Sequence, residues 1–366
     1  MPPHAHRPRP PHHRTGPDDV SGLEAAIAAG RIDPSGILAI FGKTEGNGCV
    51  NDFTRGFATQ SLTLALARHI GPERAAAVCY VMSGGTEGAM APHWTVFERV
   101  EGEGATGPAL AVGRVHTAPL PAEHLGRTGQ VEQVAAGIAE AMRQAGLTDP
   151  RDVHFVQVKC PLLTAQRIGE AEARGARVAV RDTLKSMGLS RGASSLGVAV
   201  ALGEIAPEAV TDAAIGRDLA LFSGRASASA GVELLGHEIV VLGMSAAWSG
   251  DLAVDHAVMA DAIDVEPVRA ALARLGLGAA GQLDAAARGR LVALLAKAEA
   301  SPDGAVRGAR HTMLDDSDIS STRHARAFVA GALAGLVGRT DIYVSGGAEH
   351  QGPPGGGPVA VIAQRG

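Results

Sequence analysis

The segment SGGTE at residues 83–87 occurs twice more in related form, as SAGVE at 229–233 and as SGGAE at 345–349. Each copy contains a serine, a small residue, a glycine, a variable residue and a glutamate. The first and third copies follow strand-like apolar runs, AAVCYVM and DIYV. A strand that ends in small residues lets its backbone approach a ligand closely. Three such segments predict three repeated units, and repetition decides the architecture of a chain.

A lysine lies upstream of each of these serines. Lys43 follows GILAIFG, Lys159 follows VHFVQV and Lys297 follows LVALLA. The first two runs are typical of buried strands. The third fits a helix equally well because leucine and alanine favour helices, and we assign it to a strand by analogy with the other two.

An arginine lies between each lysine and its serine. In each case a serine or threonine precedes the arginine, and an Ala- and Leu-rich stretch follows it. The arginines are Arg55, Arg191 and Arg323, and the residues before them are Thr54, Ser190 and Thr322. The preceding residues are predicted helix N-caps, which places each arginine in a first helical turn. The helix dipole disfavours a cation there, so three such arginines indicate a shared function.

The order lysine, arginine, serine therefore occurs three times. It predicts an α/β fold of α+β repeats: three homologous repeat domains around a pseudo-threefold axis with a central active site. Loop-like breaks divide the chain into domains at 18–104, 111–250 and 254–366. Residues 1–17, rich in proline, histidine and arginine, are predicted to be a disordered tail.

Composition narrows the function classes. The chain has 366 residues, with 46% hydrophobic and 19% charged residues, which excludes a disordered protein. A net charge of −5 and 3% aromatic residues argue against nucleic-acid partners. No apolar run reaches the length of a membrane span, and the start has no apolar signal core, so we expect no membrane association and a cytoplasmic location. The three cysteines form no CxxC pair and fit a reducing compartment.

The combination of serine and lysine indicates a chemistry. A serine hydroxyl needs a base to become a nucleophile, and a lysine serves when burial or nearby cations lower its pKa. Ser–Lys pairs are a known alternative to the histidine triad. A cationic, glycine-rich centre suits carbonyl oxygens or a delocalised anion. A pseudo-threefold pocket best fits a small planar ligand with three similar edges.

Longer strings carry a family resemblance. FGKTEGNGCVNDFTRG at 41–56, VMSGGTEGAMAPH at 81–93 and YVSGGAEHQGPPGGGPVAVIA at 343–363 closely resemble cyanuric acid hydrolases, whose wider family includes barbiturase. The likeness covers roughly residues 18–366. It implies hydrolytic opening of the s-triazine ring of cyanuric acid to 1-carboxybiuret, which loses carbon dioxide to give biuret. It also implies a homo-oligomer, a homotetramer in particular.

The resemblance implies roles for individual residues. Ser229 is the nucleophile and Lys159 its base. Each repeat contributes an arginine, a serine and the following residue to the substrate, and Lys43 and Lys297 complete the set. The substrate residues are Arg55, Ser83, Gly84, Arg191, Ser229, Ala230, Arg323, Ser345 and Gly346. The chemistry needs neither a metal nor an organic cofactor.

The resemblance further implies a structural divalent cation, Mg²⁺ or Ca²⁺, in the third repeat. Its ligands are oxygens, mostly backbone carbonyls, as a hard cation requires. The implied ligands are Glu299, Ala348, Gln351, Gly352, Pro353 and Gly356.

One region departs from the family pattern. The segment HAHRPRPPHHRTGPD at 4–18 stands where relatives have a short apolar strand, and its prolines cannot donate to a ladder. We expect that edge strand to be missing or irregular.

Two alternatives stay open at this point. The chain could be a barbiturase that acts on barbituric acid, or a non-catalytic binding module for small ureides or anions.

Overall fold

Three four-stranded sheets form the frame of the molecule. The computed structural model describes residues 3–6, 15–101 and 105–366. The first sheet contains β1 (Pro3–His6), β2 (Ile37–Thr44), β3 (Cys79–Gly84) and β4 (His93–Glu101). Its helices are α1 (Ser21–Ala28), α2 (Phe53–Ile70) and α3 (Pro72–Ala76).

The second sheet follows along the chain. Its strands are β5 (Ala109–His116), β6 (Val153–Cys160), β7 (Ala226–Ala230) and β8 (Glu238–Ser245). Its helices are α4 (Thr128–Gln144), α5 (Ala165–Ala173) and α6 (Thr183–Ala201).

The third sheet is interrupted by a small hairpin. Its first two strands are β9 (Leu252–Met259) and β10 (Leu291–Ala298), and the hairpin is β11 (Ala305–Val306) with β12 (Ala309–Arg310). The sheet ends with β13 (Tyr343–Gly346) and β14 (Gly357–Gln364). Its helices are α7 (Glu266–Arg274), α8 (Ala285–Arg290) and α9 (Ser321–Val337).

All three sheets share one topology. The orders are β1-β4-β2-β3, β5-β8-β6-β7 and β9-β14-β10-β13, so each sheet runs first, fourth, second, third. In each, the second and third strands are parallel and the other neighbours antiparallel. This confirms the predicted α/β fold of three repeats. The exact domain boundaries stay a prediction.

One hydrophobic core joins the three sheets. It includes Phe41 of β2, Phe155 of β6 and Leu295 of β10, all fully buried. Aromatic rings from different repeats pack together, since the ring centres of Phe41 and Tyr343 lie 5.9 Å apart. Because the inner faces of the sheets pack on each other, the ends of their central strands meet at one place.

The strand predictions are confirmed for all three lysine segments. The run before Lys297 is a strand, β10, although its composition also suits a helix. It lies between β13 and β14 inside the sheet, so tertiary packing overrides its intrinsic preference.

The prediction of a disordered tail at 1–17 is wrong for Pro3–His6. This segment forms β1 and pairs antiparallel with Glu98–Glu101 of β4. β1 is an edge strand, where a proline is tolerated because only one side of the strand needs hydrogen bonds. The edge strand is therefore present. Residues 1–2 and 7–14 of the predicted tail lie outside the described residues.

The N-cap predictions at Thr54, Ser190 and Thr322 are also wrong. Asp52 caps α2 by accepting from the Thr54 amide, and Asp182 caps α6 by accepting from the Lys185 amide. Aspartate is a stronger N-cap than threonine, so the helix begins at the aspartate and not at a threonine one or two residues further on. The N-cap of α9 is Ser320. Ser190 is buried inside α6, so Arg191 lies in the third turn of its helix rather than the first.

Within the described ranges, none of the helices has both the length and the apolar character that a bilayer crossing requires.

Candidate active site

Each lysine stands beside its serine at the end of a parallel strand pair. Parallel pairing places the lysine of the second strand level with the serine of the third. The register pairs are Lys43 with Ser83, Lys159 with Ser229 and Lys297 with Ser345. All three lysines are fully buried, and the serines are at most 7% exposed. The repeated order seen in the sequence is therefore a repeated geometry.

Hydrogen bonds from the lysines connect the repeats in a ring. Each lysine Nζ donates to the backbone carbonyl that precedes a serine of another repeat. The contacts are Lys43 to Val344 at 2.9 Å, Lys159 to Met82 at 2.7 Å and Lys297 to Ala228 at 3.0 Å. The first repeat thus contacts the third, the second contacts the first, and the third contacts the second. This cyclic pattern defines the pseudo-threefold axis.

The glutamates of the repeated motif form a second ring. Each faces an arginine from a different repeat. The pairs are Glu87 with Arg326 at 2.5 Å, Glu349 with Arg191 at 2.6 Å and Glu233 with Arg55 at 3.8 Å. The first two pairs are bidentate, which fixes the guanidinium plane. Two of the glutamates therefore orient the arginines that they face, whereas Arg55 is held by the carbonyls of Gly48 and Cys49.

In the third repeat, the arginine that lines the site is Arg326 and not the predicted Arg323. Arg326, which the sequence analysis missed, is 3% exposed and lines the central cavity. Arg323 is only partly buried and lines a wider outer cleft instead. The prediction followed the Ser/Thr–Arg pattern, but both arginines lie on α9 three residues apart. The signal that identifies Arg326 is its pairing with Glu87, which the sequence does not display.

The central cavity is small and polar. Its volume is about 20 Å³. It brings together eight predicted substrate residues: Arg55, Ser83, Gly84, Arg191, Ser229, Ala230, Ser345 and Gly346. Gly48, Met82, Met187 and Arg326 complete the lining. A cavity of this size excludes a bulky molecule.

The three Lys–Ser pairs differ in their contacts. Lys43 lies 3.1 Å from the Ser83 hydroxyl, and Lys297 lies 3.2 Å from the Ser345 hydroxyl. Lys159 instead forms an ion pair with Glu233 at 2.9 Å. In the described part of the chain no hydrogen bond joins Lys159 to Ser229, whose hydroxyl lies 3.1 Å from that of Ser345. The middle repeat is therefore chemically distinct.

Burial lowers the pKa of all three lysines. For Lys297, burial and the nearby Arg191 lower the pKa to about 7. For Lys43, burial and Arg326 lower the pKa well below its ordinary value. For Lys159, burial lowers the pKa, while the Glu233 carboxylate opposes that shift and Arg55 adds to it.

Glu233 itself remains an anion. Burial works to raise the pKa of its carboxyl group, but Lys159 and Arg55 outweigh burial and hold that pKa below its ordinary value. A buried lysine of lowered pKa beside a carboxylate is suited to accept a proton and to be stabilised once charged.

The predicted cation ligands lie around one loop. Glu299 follows β10, and its two carboxylate oxygens accept from the amides of Ala300 at 3.0 Å and Ala348 at 3.3 Å. Burial and the neighbouring Glu349 raise the pKa of Glu299, so a cation there would relieve an unfavourable charge. The carbonyls of Ala348 and Pro353 each accept one amide and retain a second lone pair. These oxygen donors fit a hard divalent cation.

Gln351 is held in place by its side chain. Its Oε1 accepts from the Ala228 amide at 2.7 Å, and its Nε2 donates to the Gly347 carbonyl at 3.1 Å. Because Ala228 immediately precedes Ser229, the loop of the implied cation site supports the strand that carries the middle serine.

Convergent hydroxyls, buried lysines and arginines in a small cavity are the features of an enzyme, and comparison with known families gives its class. A sequence model of the family described as amidohydrolase ring-opening protein matches residues 12–364. The chain belongs to this ring-opening amidohydrolase family and is a hydrolase. The resemblance seen in the sequence is thereby confirmed.

Relatives and solved structures agree with this assignment. The chain is 68% identical over 350 residues to a cyanuric acid amidohydrolase of Azorhizobium caulinodans, covering 95% of this chain and 96% of the relative. It is 51% identical over 358 residues to one of Enterobacter cloacae, covering 96% and 97%.

Two solved structures share the whole fold of this chain. A cyanuric acid hydrolase from A. caulinodans superposes with a TM-score of 0.91 at 66% identity, covering 100% of this chain and 99% of that one. Another cyanuric acid hydrolase, described as an evolutionary innovation by structural concatenation, superposes with a TM-score of 0.93 at 47% identity, covering 100% of both.

Proposed function

We propose that this enzyme hydrolyses cyanuric acid to 1-carboxybiuret, which loses carbon dioxide to give biuret. The observation that carries the proposal is the threefold cavity, which presents three serine edges and three arginines to one small space. Cyanuric acid is a planar ring with three identical carbonyl edges, so it matches that arrangement. The names of the relatives support the same substrate.

Ser229 is the nucleophile and Lys159 the base in this proposal. Glu233, at 2.9 Å from Lys159, supports the choice because it supplies a third member that stabilises the lysine once it is protonated. The arrangement follows the logic of a catalytic triad, with lysine in place of histidine.

The reaction proceeds in two stages. Lys159 takes the proton of Ser229, the serine oxygen attacks a ring carbonyl, and the ring C–N bond breaks as the leaving nitrogen receives that proton. A water molecule then attacks the resulting carbamoyl-serine ester. This second step releases 1-carboxybiuret and restores the Ser229 hydroxyl.

The other two repeats hold the substrate. In this proposal the hydroxyls and following amides of Ser83 and Ser345 donate to the two carbonyls that do not react, and the lining of the cavity by Ser83, Gly84, Ser345 and Gly346 supports that role. Arg55, Arg191 and Arg326 stabilise the negative charge that develops on the attacked oxygen. Ser229 must leave its contact with Ser345 to react, a rearrangement that substrate binding can drive.

The implied cation is structural in this proposal. Glu299 and the loop carbonyls would hold Mg²⁺ or Ca²⁺, and the ion would fix the loop whose Gln351 supports the Ser229 strand. The chain's own serine and lysine perform the chemistry. The homotetrameric state and the cytoplasmic location stay predictions.

A product assay tests the proposal. Purified enzyme is incubated with cyanuric acid, and biuret and carbon dioxide are measured; barbituric acid is assayed in parallel. We expect biuret from cyanuric acid and little turnover of barbituric acid. Preferred turnover of barbituric acid would identify a barbiturase, and tight cyanurate binding without biuret release would identify a binding module.

A further inference from the structure

The side chains that lie one layer below Lys159 and Ser229 in the sheet are polar, and we call such a layer the floor of its Lys–Ser pair. In a strand, residues two positions apart face the same side, so Gln157 and Ser227 lie directly below this lysine and serine. They are register partners on β6 and β7, and both are fully buried. The Gln157 Oε1 and the Ser227 hydroxyl have no hydrogen-bond partner among the described residues.

The corresponding floors in the other repeats are largely apolar. Beneath Lys43 and Ser83 lie Phe41 and Val81, and beneath Lys297 lies Leu295. The exception is Tyr343, beneath Ser345. Its hydroxyl is the one polar group that the first and third repeats contribute at this level.

Tyr343 extends away from its own repeat. It is 1% exposed, its ring packs against Phe41, and the Lys43 ammonium lies 5.7 Å from the ring centre. Burial raises the pKa of the Tyr343 hydroxyl, and the nearby Ser83 and Ser229 hydroxyls of the other two repeats oppose that shift. Neither serine meets the full geometry of a hydrogen bond with the Tyr343 hydroxyl, nor does any other described residue. Buried hydroxyls are normally bonded, so this one requires an explanation.

We propose that Tyr343 is a positioning residue whose hydroxyl donates to Ser229 Oγ when that serine turns from Ser345 towards the substrate. The inference rests on the proposed role of Ser229 as the nucleophile. A donor from below orients the serine oxygen and stabilises the charge that it gains as its proton moves to Lys159. The polar surfaces of Gln157 and Ser227 keep the space beneath Ser229 compatible with that charge.

Tyr343 acts as a donor and not as a base. Burial raises the pKa of its hydroxyl well above the ordinary value, so the group stays protonated near neutral pH. It also breaks the threefold symmetry, because Val81 and Ser227 occupy the matching positions of the other repeats.

The chain contains only two tyrosines, which provides a matched control. Tyr80 is also buried, but its hydroxyl donates to the Ala75 carbonyl at 2.8 Å, away from the central cavity. Tyr343→Phe removes an unbonded hydroxyl and Tyr80→Phe removes a bonded one, while both keep the ring.

The test compares kinetics, labelling and melting temperature. For Tyr343→Phe we expect kcat for cyanuric acid to fall about 10- to 100-fold, with KM nearly unchanged. The rate constant for labelling Ser229 with methanesulfonyl fluoride, followed by peptide mass, should fall by a similar factor. The melting temperature should stay the same or rise, because no bond is lost. Tyr80→Phe should show the reverse: a lower melting temperature with normal kcat and labelling.

Three outcomes would overturn the inference. They are normal kcat and labelling in Tyr343→Phe, a fall in kcat that only accompanies a lower melting temperature, and labelling of Ser83 in place of Ser229. If the wild-type protein releases no biuret but Tyr343→Phe still slows Ser229 labelling, the proposed function fails while the positioning role stands.

Discussion

The middle and third repeats place a lysine and a serine in the same register, yet the two Lys–Ser pairs make different side-chain contacts. Lys297 donates to its own Ser345, whereas Lys159 pairs with Glu233 and leaves Ser229 in contact with Ser345. The backbone arrangement is shared, so the difference arises from side chains: a glutamate that turns towards a lysine and a polar floor below. Symmetry supplies three equivalent positions, and in the proposed mechanism a few side chains decide which one reacts.

The largest expected effect separates the two serines. Ser229→Ala removes the proposed nucleophile and should lower kcat by about 10⁴- to 10⁶-fold. Ser345→Ala loses only a donor to the substrate and should cost about 10²- to 10³-fold. Steady-state biuret release measures both, and circular dichroism checks that both variants fold. Near-normal turnover by Ser229→Ala would show that another repeat carries the nucleophile.

The second comparison concerns the glutamates of the middle and third repeats. Glu233→Gln removes the carboxylate that stabilises protonated Lys159, so kcat should fall about 10²-fold. The carboxylate also holds the Lys159 pKa up against burial, so its loss lowers that pKa further. Because neutral Lys159 is the active base in the proposed mechanism, the acid limb of the pH–kcat profile should move to lower pH.

Glu349→Gln is the matched control. Glu349 pairs with Arg191 and not with Lys159, so the acid limb should stay in place while the melting temperature falls. An unmoved acid limb in Glu233→Gln would contradict the role given to Glu233.

The arginines of α9 sharpen the boundary of the site. Arg326→Lys loses the bidentate contact with Glu87 inside the cavity, and kcat/KM should fall about 10²-fold. Arg323→Lys, in the outer cleft, should change kcat/KM by less than about threefold, as surface substitutions do. Equal losses in the two variants would return Arg323 to the site.

The smallest expected effect concerns the cation of the third repeat. A chelator should lower the melting temperature by about 5 °C, because a bound ion stabilises only the folded state. Glu299→Gln should lower it similarly and abolish the response to added Mg²⁺ or Ca²⁺. Differential scanning fluorimetry measures both. A melting temperature that ignores chelator in the wild-type protein would contradict the cation proposal.

The sequence predicts those parts of the site that are encoded locally. Lys43, Lys159 and Lys297 end apolar strands, and each serine is followed by small residues, so their convergence follows from the repeated order. Arg326 escapes detection because its identity as a site residue depends on Glu87, 239 positions away. The start of α6 escapes because the capping Asp182 lies nine residues before Arg191, with no break between them.

Other features leave a weak trace for different reasons. Pro3–His6 pairs with β4 through backbone groups at a sheet edge, and because such groups are present in every residue, composition gives little signal for this strand. Backbone carbonyls of the proposed cation site are present at every residue, so only the resemblance singles them out. The polar floor beneath Ser229 is visible in the sequence only once the strand register is known.

The ring of lysine contacts has a consequence for how the enzyme can fail. Each lysine is anchored on a carbonyl of a different repeat, so no repeat contains a complete site of its own. A repeat produced as an isolated fragment should lack activity, and mixing the fragments should restore it only when all three dock. The repeats also depend on each other for geometry. A strand end displaced in one third of the chain misplaces the lysine Nζ of another third.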